Sequence, residues 1–214
     1  MAEPQASRCT ASLPPRQRES GFWEVLKLAF VEGDGAWAAA LLEEPGPGAA
    51  SLARALVLKA GIVHRDPTER GERRLLNLGH TLGHALESAS GFTLLHGEAV
   101  GLGLLAACLL AEAEGLPPFP AALLARLAER LEPLAPLAAP FDACRPFLLR
   151  DKKAGPRVGS PGTGGASELH CILPAPERRA EIRPLPPDAW RGPHRRMMEL
   201  LAGARPVPGP RIDL

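Results

Sequence analysis

The run Leu75-Leu76-Asn77-Leu78-Gly79-His80-Thr81-Leu82-Gly83-His84-Ala85-Leu86-Glu87 decides how the rest of the chain is read. At about 100° per residue, Arg73, Asn77, His80, His84 and Glu87 fall on one narrow stripe of a helix. Leu75, Leu78, Leu82, Leu86 and Ala89 form the opposite, apolar face. A merely solvated stripe would be written in Lys and Glu. Arg, Asn and two His instead offer donors and imidazole nitrogens, suited to an anionic or metal-bound ligand. Asp66-Pro67-Thr68-Glu69 supplies a cap, a proline at the first helical position and a returning glutamate. The spacing therefore predicts one long helix from there to about Ser90, closed by Gly91.

Working outward, the pattern is mainly α. Ser20 is a candidate N-cap for a helix carrying Phe22, Val25, Leu26, Ala29 and Phe30 at helical spacing. A short helix spans Trp37 to Leu42, and Pro45-Gly46-Pro47-Gly48 is a loop. Helical spacing resumes from Ala49 to Val63, from His96 to Gly115 and from Ala121 to about Leu137. Glu98 suits the positive end of the His96 helix. Gly155 to Gly165 lacks apolar periodicity, and a small β-hairpin is expected near 169–183. The expected organisation is an N-terminal extension over 1–12, a helical bundle-like domain over 13–183 and a loosely attached Pro/Arg-rich tail over 184–214.

Composition removes several classes of function. The 214 residues are 45% hydrophobic and 23% charged, with Lys+Arg 25 against Asp+Glu 24, so the chain reads as a folded domain and not as a basic nucleic-acid arm. No tyrosine and 4% aromatic residues argue against a base-stacking platform. Cys9, Cys108, Cys144 and Cys171 stand far apart without a C-x-x-C pair, which favours a reducing compartment over a disulfide framework. No apolar leader is evident near the start, and the run Leu102 to Ala111 is short for a bilayer, so the expectation is a cytoplasmic protein without membrane or nucleic-acid partners. If a neighbouring domain normally covers part of the helical surface, Phe22, Trp23 or Leu102 to Leu105 are exposed in this chain and favour a homo-oligomer.

His80 and His84 stand one turn apart and can converge on one metal ion, although two ordinary core or surface histidines are an equal reading of the pair alone. The H-E-x-x-H glutamate of a metalloprotease is missing. His96 shifts the balance, because an antiparallel return after a short turn brings its ring back to the stripe. On the first helix, Glu24 and Lys27 share the polar side and add a carboxylate and a cation to the same cleft.

These residues, followed by His96-Gly97-Glu98-Ala99-Val100, resemble the signature of 3-dehydroquinate synthase. Leu13-Pro14-Pro15, Ser20-Gly21, Glu24-Val25 and Lys27 are similar to the start of that family's C-terminal domain. Lys59-Ala60, Asp66-Pro67-x-Glu69-x-Gly71-x-Arg73 and Asp151-Lys152-Lys153 extend the likeness, in order, to about Ile182. The resemblance implies a mostly helical metal-binding domain that follows an NAD-binding α/β domain. It implies a lyase of the shikimate pathway to chorismate and aromatic amino acids, in which 3-deoxy-D-arabino-heptulosonate 7-phosphate loses phosphate and closes to 3-dehydroquinate. NAD transiently oxidises a hydroxyl, phosphate is eliminated, the ketone is reduced and an aldol step closes the ring. By the same resemblance Glu24, His80 and His96 are ligands of Zn2+ or Co2+. His84 contacts substrate near its phosphate, Arg73 and Asn77 bind its anionic groups, and Lys27, Lys59 and Lys152 line the pocket.

The sequence departs from the family where NAD would bind: no Gly-rich phosphate-binding turn lies upstream of Leu13, and no cofactor-binding residue is identified. The segment Glu24 to Lys59 also looks shortened. Three readings stay open: a 3-dehydroquinate synthase completed by a separate NAD-binding domain, another sugar phosphate cyclase, or a non-catalytic metal- and anion-binding module.

Overall fold

The computed structural model describes residues 12–151 and 168–203. Pro15 at the first helical position costs no hydrogen bond and opens α1 (Pro15–Glu32), which Gly33 closes in the left-handed conformation. Asp34 caps α2 (Gly35–Glu43) by accepting from the Trp37 amide. After the proline-glycine loop comes α3 (Ala49–Arg65), which buries only Ala55 and Ile62. A 3-10 turn over Glu72–Asn77 leads into α4 (His80–Ala89), and a tight turn leads into α5 (His96–Ala113). There follow α6 (Ala121–Leu131), a 3-10 turn over Glu132–Leu137 and α7 (Phe141–Asp151). The antiparallel strands β1 (Leu169–Ala175) and β2 (Arg178–Leu185) pair Leu169 with Leu185 and Ile172 with Ile182. A last 3-10 turn, Pro187–Trp190, precedes α8 (Arg191–Gly203).

The centre is α5, against which α1, α4, α6, α8 and β1 all pack. Its length and hydropathy would suffice to cross a membrane, but 83% of it is buried inside the protein, as befits the core helix of a bundle. Small residues let its neighbours come close. A Cβ on Gly103 would overlap the Gly79 carbonyl oxygen and stand 2.9 Å from the Gly83 amide nitrogen. The mainly α architecture with a small hairpin agrees with the sequence reading.

Four local expectations differ from the structure. The long helix from Asp66 is broken: Asp66 accepts from the amides of Arg70, Gly71 and Arg73, a short 3-10 turn follows, and Gly79 at φ 78° redirects the chain before α4 begins. A left-handed backbone is strained for residues with a Cβ, and here the Val100 carbonyl lies only 2.8 Å from where that Cβ would be. Ser20 does not cap its own helix, which starts five residues earlier; its hydroxyl accepts instead from the Gly97 amide at 3.1 Å. The segment expected to be a loose tail is integral as far as Gly203, because Trp190, Met197 and Leu201 are buried and His194 bonds the Ala139 carbonyl. Phe22, Trp23, Leu102, Leu104 and Leu105 are fully buried, with the Arg130 guanidinium 3.6 Å over the Phe22 ring and paired to Glu19. Exposed large apolar residues are instead Leu13, Leu56, Val57 and Phe92.

Candidate metal centre and adjoining cleft

Three elements meet at the site, and each is tied to the next near the residue it contributes. The Ser20 bond to Gly97 docks α1 on the first turn of α5, so Glu24, one turn beyond Ser20, faces His96. Arg16 and Glu98 lock the same corner. Glu98 is 1% exposed, accepts two bonds from the Arg16 guanidinium and reaches back to the Leu95 amide. The close approach at Gly79, Gly83 and Gly103 then sets α4 against α5 and brings His80 and His84 to His96, with ring centroids 5.1 to 5.5 Å apart.

Glu24 Oε1 lies 3.6 Å from His80 Nε2 and 3.7 Å from His96 Nε2, too long for hydrogen bonds. It is buried and has no hydrogen-bond partner, whereas Oε2 accepts from Lys27 Nζ at 2.8 Å. The imidazoles are aimed by their other nitrogens. His80 Nδ1 is 3.1 Å from the Leu78 carbonyl, which can only accept, so Nδ1 carries the proton and the Nε2 lone pair faces Glu24. His96 Nδ1 is 3.4 Å from Glu87 Oε2. A carboxylate or carbonyl behind each imidazole is the usual support of a metal-ligating histidine.

Electrostatics fit the same use. Burial, with the Lys27 charge, pushes the His80 imidazolium down to about 4, so the ring is neutral at physiological pH. Burial works to raise the Glu24 carboxyl, but Lys27 and the two histidines hold it below the usual carboxylate range. Lys27, 3% exposed, is lowered by burial, an effect opposed by Glu24 and reinforced by the nearby charge of Lys59.

One carboxylate and two imidazoles suit zinc or cobalt. A tetrahedral ion with bonds of about 2.0–2.2 Å separates its ligand atoms by roughly 3.3–3.6 Å. The Glu24 separations come close to this, and the buried oxygen without a partner is the atom such an ion would satisfy. His84 belongs to a second, looser set: one ligand atom from each of His80, His84 and His96 lies within 4.8 Å of the others.

Beside these donors is a cleft of about 230 Å³ lined by Arg74, Asn77, His80, Thr81, His84, His170, Ile172 and Ile182. Of the residues expected at the site, Glu24, Lys27, His80, His84 and His96 are brought together, and Asn77 lines the cleft while donating to Glu69 Oε1 at 2.7 Å. Lys59 is exposed but near enough to Lys27 to act on its charge. Arg73 lies outside the cleft lining: its guanidinium donates to the Pro67 carbonyl and approaches Glu69. Lys152 lies outside the described residues. Arg74, His170 and the two isoleucines were not foreseen, because a continuous helix would have turned Arg74 off the stripe and the hairpin carried no register to place it.

Comparison with known proteins bears on this arrangement. The family described as 3-dehydroquinate synthase C-terminal matches residues 21–154, more than half of the chain. The 3-dehydroquinate synthase of Paracoccus denitrificans (strain Pd 1222) is 45% identical over 113 residues, 49% of this chain and 31% of that protein. That of Lactiplantibacillus plantarum is 41% identical over 143 residues, 59% of this chain and 39% of that protein. The chain thus spans between 31% and 39% of the length of the curated relatives it matches. Among solved structures, 2-deoxy-scyllo-inosose synthase complexed with carbaglucose-6-phosphate, NAD+ and Co2+ superposes with a TM-score of 0.69 at 21% identity, over 89% of this chain and 55% of that one. The 2-epi-5-epi-valiolone synthase of Streptomyces hygroscopicus subsp. jinggangensis 5008, with NAD+ and Zn2+ bound, gives 0.65 at 23% identity, over 88% and 53%. At these identities the structural likeness establishes the fold.

Proposed function

The chain belongs to the 3-dehydroquinate synthase C-terminal family, and on that premise we propose that it supplies the metal-binding half of a 3-dehydroquinate synthase active site. The reaction is the conversion of 3-deoxy-D-arabino-heptulosonate 7-phosphate to 3-dehydroquinate with loss of phosphate, in the cytoplasm. The observation that carries the reading is the buried Glu24 Oε1, without a hydrogen-bond partner and facing two oriented imidazole nitrogens at 3.6 and 3.7 Å. Glu24, His80 and His96 would hold the metal. A divalent ion bound there supplies Lewis acidity toward a substrate hydroxyl.

The chain's own side chains do the rest of the work on this side of the cleft. Lys27, buried and close to Lys59, offsets the negative charge of a sugar phosphate entering beside Glu24. His84, outside the Glu24 set, is left to donate to the substrate near its phosphate, and Asn77 offers an amide from the adjoining wall. Arg73 and Lys152 take anion-binding roles by family likeness.

NAD does not fit the described residues. Their only sheet is one antiparallel hairpin, and none of their glycines joins a strand to a helix as a pyrophosphate-binding turn. The reading therefore requires nucleotide-binding residues from elsewhere, on the same or another polypeptide. The alternative of another sugar phosphate cyclase has support from the structural neighbours at 21–23% identity, but the 41–45% identity to proteins named 3-dehydroquinate synthase favours the first.

The test is turnover of the purified chain with 3-deoxy-D-arabino-heptulosonate 7-phosphate, NAD and zinc, alone and mixed with the NAD-binding domain of a complete synthase. Phosphate release in the mixture, abolished by His80→Ala, supports the proposal. Stoichiometric zinc without turnover in either condition would favour a binding module.

A further inference from the structure

Among the described residues, arginines are paired wherever they are half-buried, with one exception. Arg16 bonds Glu98, Arg130 bonds Glu19, Arg145 bonds Asp188, Arg183 bonds Glu181, and Arg73 bonds the Pro67 carbonyl. Arg74 is equally half-buried, yet among the described residues its guanidinium has no carboxylate, carbonyl or aromatic partner, and it lines the cleft beside the metal donors. A partly desolvated guanidinium without a partner is costly unless something from outside completes it.

The opposite wall comes from the hairpin. Ile172 and Ile182 are register partners, and His170, two residues before Ile172, projects from the same face of β1. All three line the cleft, so the hairpin faces Arg74, Asn77 and His84 with an imidazole set on an apolar floor. No Asp or Glu lines this space, and Asn77 already engages the nearby Glu69. Donors on two walls with no acidic group between them make a receptor for an oxyanion.

We propose that Arg74 and His170 form an oxyanion subsite that holds the phosphate or carboxylate group of the substrate from the hairpin side of the cleft. This rests on reading the cleft as the substrate pocket. It also adds Arg74 to the anion-binding groups that the family likeness places at Arg73 and Asn77, and it makes the hairpin part of the active site.

The experiment titrates the zinc-loaded chain with inorganic phosphate and separately with acetate, by calorimetry and by side-chain NMR of arginine Nε and histidine resonances. Arg74→Gln and His170→Gln are each expected to weaken binding of the preferred anion about tenfold, one charge-assisted hydrogen bond's worth, with zinc stoichiometry unchanged. Stronger phosphate binding marks a phosphate subsite, and stronger acetate binding a carboxylate subsite. Arg74→Lys, which keeps charge and bulk but not the fork, should lose part of the affinity and guards against misfolding. Wild-type anion affinity in both glutamine variants overturns the subsite. A chain that takes no zinc but still loses anion affinity on Arg74→Gln would sink the metal reading and leave the subsite standing.

Discussion

Replacing Gly103 by alanine tests how the fold builds the site. The new methyl would overlap the Gly79 carbonyl and sit 2.9 Å from the Gly83 amide nitrogen, where ordinary Cβ contacts begin at 3.4 Å. The neighbours are backbone atoms of α4, so no side chain can rotate away, and the helices must part by at least about 0.5 Å. Overpacking of this kind costs about 1–3 kcal/mol, a fall in Tm of roughly 2–12 °C for a chain of this size. His80 and His84 ride on α4, whereas His96 is seven residues before Gly103 on α5. A shift of about 0.5 Å exceeds the tolerance of roughly 0.2 Å for metal–ligand distances, so zinc affinity should drop at least about tenfold. Thermal denaturation and zinc competition against a chelating dye read both effects. Gly21→Ala, with nothing within 4 Å of its Cβ on an exposed face of α1, is the control and should stabilise slightly. A folded Gly103→Ala protein with wild-type zinc affinity would refute the claim that this helix contact sets the site.

Glu87→Gln should weaken zinc binding by about 10–100-fold with unchanged circular dichroism, because Glu87 Oε2 stands 3.4 Å behind His96 Nδ1; an unaltered affinity would remove Glu87 from the site. The metal-free chain should lose stability as pH falls from about 6.5 toward 4. The unfolded His80 takes up a proton near 6.5 while the folded one resists until about 4, so protons favour the unfolded state in that window. Urea midpoints across this range should fall in the wild type and fall less steeply in His80→Gln. Trp190→Ala should cost about 3–5 kcal/mol in chemical denaturation, as expected for a ring 1% exposed; a near-neutral result would mean that the turn before α8 does not anchor it to the core.

Much of the centre was legible because its signals are local. Glu24 and Lys27 share a turn of α1, His80 and His84 a turn of α4, and His96 opens the next helix after a short turn, so periodicity groups the residues within each helix, while the family resemblance joins the three helices into one ligand set. What could not be read depended on contacts between elements. Gly79 breaks the long helix because Val100 leaves no room for a side chain, and that neighbour is twenty-one residues away. The break in turn decides that Arg74 and not Arg73 lines the cleft. His170 needed the hairpin register. In α8, arginines and Pro193 interrupt the apolar face that carries Met197 and Leu201, so its attachment to the bundle could not be read, and Trp190 lies in the turn before it. Phe22 and Trp23 were expected at a surface left open by a neighbouring domain, but both are fully buried within this domain, where Arg130, more than a hundred residues on, folds over Phe22.

The metal centre is tested most directly by the zinc stoichiometry of the purified chain and of four single variants, measured by elemental analysis after equilibrium dialysis. One zinc per chain, lost in Glu24→Ala, His80→Ala and His96→Ala but kept in His84→Ala, is the predicted result. Zinc kept in Glu24→Ala and lost in His84→Ala would replace the carboxylate set by the three histidines, and no zinc in the parent chain would contradict the metal centre itself.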